Sequence, residues 1–280
     1  MVRQPLQLAR GFGFFIQDLF RSRHLIMQLA MREFRGRYLG SSFGLLWAVL
    51  HPLTTLLLYW FVLQLVFANP DVGDVPFVLW LMAGMVPWFF FSETLGSGAS
   101  AILENGYLVK KVVFRVNMLP VVKLLAALPI HILFMGLTVA LFLAYRKPVG
   151  VHSVQVLYYM FAGCCLTLGV SFLTSALMPF LRDTSQVVAV VIQFLFWLTP
   201  VIWSTTSVPE AKRATFMPLL KANPLFYLVQ GYRESLIPGQ ATWFWQHPVY
   251  TLYFWAVTGV IMIVGMLVFR QLRPHFADVV

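Results

Sequence analysis

Residues 32–53, R-E-F-R-G-R-Y-L-G-S-S-F-G-L-L-W-A-V-L-H-P-L, decide the fold. Arg32, Arg35 and Arg37 give way through Tyr38 and a Gly-Ser-Ser turn to a run that carries no formal charge as far as Ala68. At about 1.5 Å of rise per residue, a helix over 44–68 is long enough to cross a hydrocarbon layer of about 30 Å with some tilt. The arginines mark the end at which that helix meets water. The chain therefore reads as a membrane protein first.

Composition agrees. With 60% hydrophobic and 11% charged residues and a mean hydropathy of +0.79, there is too little polar surface to coat a soluble globule, and no soluble domain is expected. The formal net charge of +10 sits in segments flanking apolar runs, where it sets orientation and meets anionic lipid, so nucleic acid is not an expected partner. Cys164 and Cys165 are adjacent in an apolar stretch, which suits neither a disulfide staple nor a metal cage. The first forty or so residues are charged throughout and carry no cleavable leader pattern.

Working outward, further spans are expected at 76–98, 119–145, 154–179, 187–203 and 248–269. Six spans place both termini on one side. Arg3, Arg10, Arg21, Arg23, Arg32, Arg35 and Arg37 precede the first, and Lys110, Lys111, Arg115, Arg182, Arg270 and Arg273 fall on the same side, which the positive-inside bias makes cytoplasmic. The whole chain, 1–280, is read as one all-α transmembrane domain with three features outside its spans. Residues 12–38 form an amphipathic interfacial helix. Ile16, Leu19, Phe20, Ile26, Met27, Ala30, Met31, Phe34 and Tyr38 share one face, and Gln17, Arg21, His24, Gln28, Arg32 and Arg35 the opposite one. Residues 99–117 are a cytoplasmic segment too long for a plain reconnection, with a short helix near 101–109 that either projects toward another protein or lies on lipid. Residues 204–247 are cut by Pro209, Pro218, Pro224 and Pro238 into pieces too short to span. Two short helices near 209–220 and 225–236 are expected to lie in or dip into the outer interface, followed by Trp243, Phe244 and Trp245 as belt residues.

With this order in place, the sequence resembles the membrane subunit of polysaccharide exporters in the type-2 ABC exporter superfamily, which move O-antigen, capsule and teichoic acid chains. The resemblance covers nearly the whole chain. It rests on 32–53, on N-G-Y-L-V-K-K (105–111) with Leu119-Pro120, on M-P-F-L-R-D-T-S-Q-V-V (178–188), on F-W-L-T-P-V-I-W-S (196–204), on N-P-L (223–225) and on Tyr232-Arg233. One departure is Arg115 after Phe114, where the family usually has proline. The resemblance implies a homodimer in the bacterial inner membrane, served by two copies of a separate ABC ATPase that hold the ATP and Mg. It also implies that Glu104, Asn105, Gly106, Tyr107, Leu108 and Lys110 couple to that ATPase. No G-x-x-x-x-G-K-[ST] loop occurs in the chain, consistent with no cofactor being bound here.

Several side chains are candidates for handling a lipid-linked polysaccharide. Arg32, Arg35, Arg37 and Tyr38 would receive the phosphate of the carrier at entry. Tyr59, Trp60, Trp88, Phe90 and Trp197 offer rings on which sugars can slide, and Asn223, Pro224, Tyr232 and Arg233 belong to an external gate. Glu93 is the one carboxylate inside an apolar run; near the cytoplasmic surface it is expected to pair with Lys123. Asp183 after Arg182 is expected to cap the fifth span. His51 and His131, each beside or near a proline, read as packing residues, and no metal set or Ser-His-Asp arrangement is present. A small-lipid or drug permease of the same superfamily is the nearer rival. A membrane glycosyltransferase or phosphatase using Asp71 and Asp74 is the remoter one, since D-V-G-D also reads as a turn.

Overall fold

The computed structural model describes residues 17, 19–38, 43–68, 71, 72, 74–111 and 114–280. The beginning of the expected interfacial helix (12–16 and 18) and the Gly40-Ser41-Ser42 turn lie outside them. The described residues are helical, without a β-strand, in the order α1 (Arg23–Tyr38), α2 (Leu46–Trp60), α3 (Phe77–Ala99), α4 (Gly106–Val109), α5 (Leu119–Ala144), α6 (Val156–Leu177), α7 (Thr184–Leu198), α8 (Glu210–Ala222), α9 (Pro224–Leu236), α10 (Pro248–Leu272) and α11 (Phe276–Val279). Single 3₁₀ turns join several of them, and α2 continues as a π-helical turn, Phe61–Val66.

Among the described residues, five helical stretches are long and apolar enough to cross a membrane: Leu46–Val66, Phe77–Ala99, Val116–Ala144, Val151–Leu177 and Pro248–Val279. The expected fifth span is shorter. α7 stops at Leu198 because Thr199 precedes Pro200, whose ring disfavours the helical region for its neighbour, and Thr199 is accordingly extended (φ −86°, ψ 130°). Its 15 residues cover only about 22 Å. Asp183 stands at its N-cap position, but its side chain accepts none of the helix N–H groups.

α3 is the axis of the molecule. Leu79, Leu81, Met82, Ala83 and Met85 are fully buried, because α2, α5, α6, α7 and α9 pack around it. The helices at 210–222 and 224–236 form near the expected bounds, yet they differ in burial. α8 is largely exposed, whereas Leu225–Val229, Tyr232, Arg233 and Leu236 on α9 are all buried. α9 packs against α3, α6 and α10 instead of lying on the surface.

α6 and α10 meet most closely, through glycine. A Cβ on Gly265 would collide with the Gly169 carbonyl oxygen and lie 3.2 Å from the Leu173 nitrogen. Small residues of this kind let two apolar helices approach to backbone contact, where dispersion replaces the missing hydrophobic drive. α1 has three sides where two were expected. Ile26 and Ala30 are buried against Val122 of α5 and Met118 just before it, Met27 and Met31 are exposed apolar residues, and Gln28, Arg32 and Arg35 form the exposed polar side.

Gly265→Leu should force α6 and α10 apart and destabilise the protein by about 1–3 kcal/mol, the usual range for overpacking. Gly259→Leu on the same helix, where an added Cβ meets nothing within 4 Å, should leave the unfolding temperature in detergent unchanged. Equal melting of the two variants would contradict the close crossing.

Candidate functional site

The basic end of the bundle is organised by one buried ammonium group. Lys123, in the second turn of α5, is completely buried, and its Nζ donates to Glu33 Oε1 at 2.6 Å and to Glu104 Oε2. Glu33 belongs to α1 and Glu104 to the 3₁₀ turn Leu103–Asn105 that precedes α4. Arg37 extends the network, donating to Glu33 at 3.3 Å and to Glu93 on α3. Ser100 donates to Glu104. Four elements from four regions of the sequence are thus tied together through three carboxylates and two cations.

This geometry corrects one expectation. Glu93 pairs with Arg37 rather than Lys123, and Lys123 takes Glu33 and Glu104 instead. Burial disfavours the Glu104 carboxylate, but hydrogen bonds from Lys123 and Ser100, with the Lys123 charge, outweigh it and hold the carboxyl below the usual range. A cavity of about 440 Å³ opens beside this node, lined by Arg32, Glu33, Arg37, Glu104, Asn105 and Tyr107 among others. Arg32 lies over the Tyr107 ring, 5.5 Å from its centroid. Residues expected at substrate entry (Arg32, Arg37) and residues expected in ATPase coupling (Glu104, Asn105, Tyr107) therefore line one cavity. Of the remaining entry residues, Arg35 is exposed and Tyr38 half-buried, with its ring 5.2 Å from that of Phe34. Leu108 is buried, Gly106 half-buried and Lys110 exposed.

A second cluster forms where α7 breaks. The carbonyls of Pro200 and Val201 fall outside the helix and need partners. Arg233, only 2% exposed, donates Nη1 to Pro200 O and Nη2 to Val201 O, both at 2.6 Å. Its guanidinium lies 3.5 Å from the centroid of Trp80 on α3. A Cβ on Gly84 would approach Arg233 Nη2 to 2.5 Å, so glycine leaves room for the fork. Asn223 caps α9 by accepting the Leu225 N–H at 3.0 Å and donates to Thr199 Oγ1 at 2.8 Å. Tyr232 meets His131 Nε2 at 2.8 Å. Three motifs far apart in sequence, T-P-V (199–201), N-P-L (223–225) and Tyr232-Arg233, are one latch, with Pro224 opening the helix that carries it.

The aromatic candidates divide. Tyr59 (5.6 Å between ring centroids), Trp88 (5.1 Å) and Trp197 (5.8 Å) all pack on Phe196, joining α2, α3 and α7. Trp197 is 60% exposed and Trp88 only 6%. Trp60 donates its indole N–H to Gln64 at 2.5 Å. Phe90 is buried against His131, 4.7 Å between centroids. Asp71 accepts the Phe77 N–H at 2.9 Å and a hydrogen bond from Gln64 at 3.3 Å, a role at the entrance to α3. Glu33 and Phe196 were not singled out by the sequence; Glu33 could have been, as the sole carboxylate among Arg32, Arg35 and Arg37.

Among the described residues the fold is a helical bundle with five stretches long and apolar enough to cross a membrane and a buried ion-pair node at its basic end. A family model described as ABC-2 type transporter matches residues 24–237, and the chain belongs to that family. It is 27% identical to the O-antigen export system permease protein RfbA of Myxococcus xanthus, covering 94% of this chain and 98% of that protein. It is 26% identical to the RfbA of Klebsiella pneumoniae, covering 91% and 94%. It is also 22% identical to the polysialic acid transport protein KpsM of Escherichia coli, covering 94% and 96%.

Two predictions follow from the buried charges. Replacing both Glu33 and Glu104 with glutamine strands the Lys123 ammonium in the interior and should cost about 3–5 kcal/mol. Lys123→Met should cost less, because Glu104, at 54% side-chain exposure, can hydrate. Chemical unfolding in micelles orders the two, and the reverse order would refute the node. The Glu104 pair contributes fully above the ordinary glutamate pKa of about 4.3 and is lost as pH falls below it, so the difference should persist at neutral pH. At the other cluster, Arg233→Lys keeps the charge but cannot reach both carbonyls; a loss of about 1.5–3 kcal/mol is expected in the same assay.

Proposed function

We propose that this chain is the membrane subunit of an ATP-driven exporter that moves a lipid-linked, O-antigen-like polysaccharide across a bacterial inner membrane. The observation that carries the reading is the end-to-end similarity to O-antigen export permeases, 98% of the Myxococcus xanthus protein included. In this reading α7 supplies the sixth crossing together with the residues after its break, both termini are cytoplasmic, and the basic end faces the cytoplasm. Two copies of the chain form the pathway, covering the exposed apolar residues of α2 and α7 such as Trp47, Leu58, Val190 and Phe194. Two copies of a separate ABC ATPase, which bind ATP and Mg, seat on the segment Glu104–Lys110. The chain itself binds no cofactor and breaks no bond.

The node suggests how the work is divided among the arginines. Arg37 is held by Glu33 and Glu93, so it orders the entry helix. Arg32 and Arg35, with exposed side chains, are left to meet the carrier's phosphate through charge-assisted hydrogen bonds. The buried latch around Arg233 and Asn223 fixes α9 to the broken end of α7, the arrangement expected of an external gate that must open as one piece. The cluster of Tyr59, Trp88, Phe196 and Trp197 gives sugar rings a surface without register.

Arg32→Gln with Arg35→Gln should raise the substrate concentration needed for half-maximal export at least tenfold, about 1.4 kcal/mol, while leaving ATPase binding intact. Reconstitution with the partner ATPase and lipid-linked polysaccharide measures both. Failure of the unaltered chain to translocate polysaccharide with any ABC ATPase would overturn the proposal.

A further inference from the structure

The segment that follows α10 is packed against the coupling turn in a way that gives it a task of its own. After Leu272 the chain makes a 3₁₀ turn, Arg273–His275, and then the short helix α11. Phe276 is fully buried. Its ring stands edge-on to Phe269 of α10, 5.3 Å between centroids and 75° between planes. It shares one apolar cluster with Ile102, Leu108 and Val109 of the coupling segment and with Ala176 at the end of α6. Val280 completes the contact from the other side: a Cβ on Gly106 would lie 2.5 Å from its Cγ1 and 3.8 Å from its Cβ. The glycine of the N-G-Y-L-V-K-K motif is thus the point at which the segment rests on the coupling helix.

The outward side of the same segment is open. Ala277, Asp278 and Val279 are exposed, on the end of the molecule where Tyr107 and Lys110 are exposed too. A helix of four residues such as α4 cannot hold its own position, since one turn of isolated helix is far below the length that is stable alone. Its orientation must come from what it packs on.

We propose that residues 273–280 are the positioning element of the ATPase seat: Phe276 and Val280 clamp the coupling helix to the α6–α10 pair, so that the two move as one body when the ATPase closes. This rests on the coupling role assigned to Glu104–Lys110. It adds a route by which force enters α10 and α6 directly, beside the Lys123 node that leads to α1 and α5.

The test uses the full chain in complex with its ABC ATPase, in a background where Cys164 and Cys165 are alanine. Gly106→Cys with Val280→Cys should form a disulfide on mild oxidation, because a Cβ separation of 3.8 Å is the mean for such bonds. Phe276→Ala should weaken ATPase binding at least tenfold and abolish stimulation of hydrolysis by substrate. Gly106→Val, which leaves Phe276 in place but displaces Val280, should do the same, and the volume-conserving Phe276→Met should not. Oxidising the cysteine pair in the Phe276→Ala chain should restore binding and stimulation, a rescue that a general folding defect would not show. Unchanged coupling in Phe276→Ala, failure of the cysteines to join, or failure of the bond to rescue would each overturn the clamp. If the unaltered chain binds no ABC ATPase at all, the coupling assignment itself falls, while disulfide formation still reports the packing.

Discussion

A lysine ammonium with no exposed surface is costly to hold in a protein interior unless carboxylates surround it, and the basic end of this protein is arranged around that requirement. Glu33 on α1 and Glu104 before α4 both come to the Lys123 Nζ. Meeting the demand ties an amphipathic helix and a short turn to α5, in addition to the apolar contacts of Ile26 and Ala30 on the helix and of Ile102 beside the turn. The buried apolar contribution of α1 is confined to Ile26, Ala30 and the partly buried Leu29. The shared lysine joins the two elements directly, and the cavity beside it is lined by both.

The opposite cluster follows the same logic with a different donor. Pro200 ends α7 before it can cross a bilayer, and the break leaves two carbonyls that water cannot easily reach. Arg233 satisfies both with a planar fork, stacks on Trp80, and requires glycine at position 84. α9 is buried because it must bring that side chain in. The two clusters stand on the same axis, α3, which carries Glu93 toward one and Trp80 with Gly84 toward the other. A rigid helix packed on every side is suited to relating events at its two ends.

Hydropathy made the long spans legible, since runs of about 20 uncharged residues admit few other readings. The positions of the two helices within 204–247 were legible from Pro209, Pro224 and the caps around them. The length of α7 was not, because apolar residues continue past Leu198 and composition does not register that Pro200 has ended the helix. The depth of α9 was also hidden: its apolar residues suit an interface as well as a core, and only the pairing of Arg233 with carbonyls 32 and 33 residues away decides. The Lys123 partners lie 90 and 19 residues distant, so Glu93 looked a plausible match on depth alone. The motif pieces at 199–201, 223–225 and 232–233 could be recognised in sequence, but not that they touch.

The central claim is that α1 and the segment Leu103–Val109 are one mechanical unit joined at Lys123. Spin labels at Gln28 and Lys110, both exposed, measured by pulsed electron resonance in a complex with the proposed ABC ATPase, test it most directly. The account predicts one narrow distance distribution that is the same without nucleotide and with ATP trapped, and that broadens when Lys123 is methionine. A shift of several ångströms between the two nucleotide states in the unaltered node would contradict it.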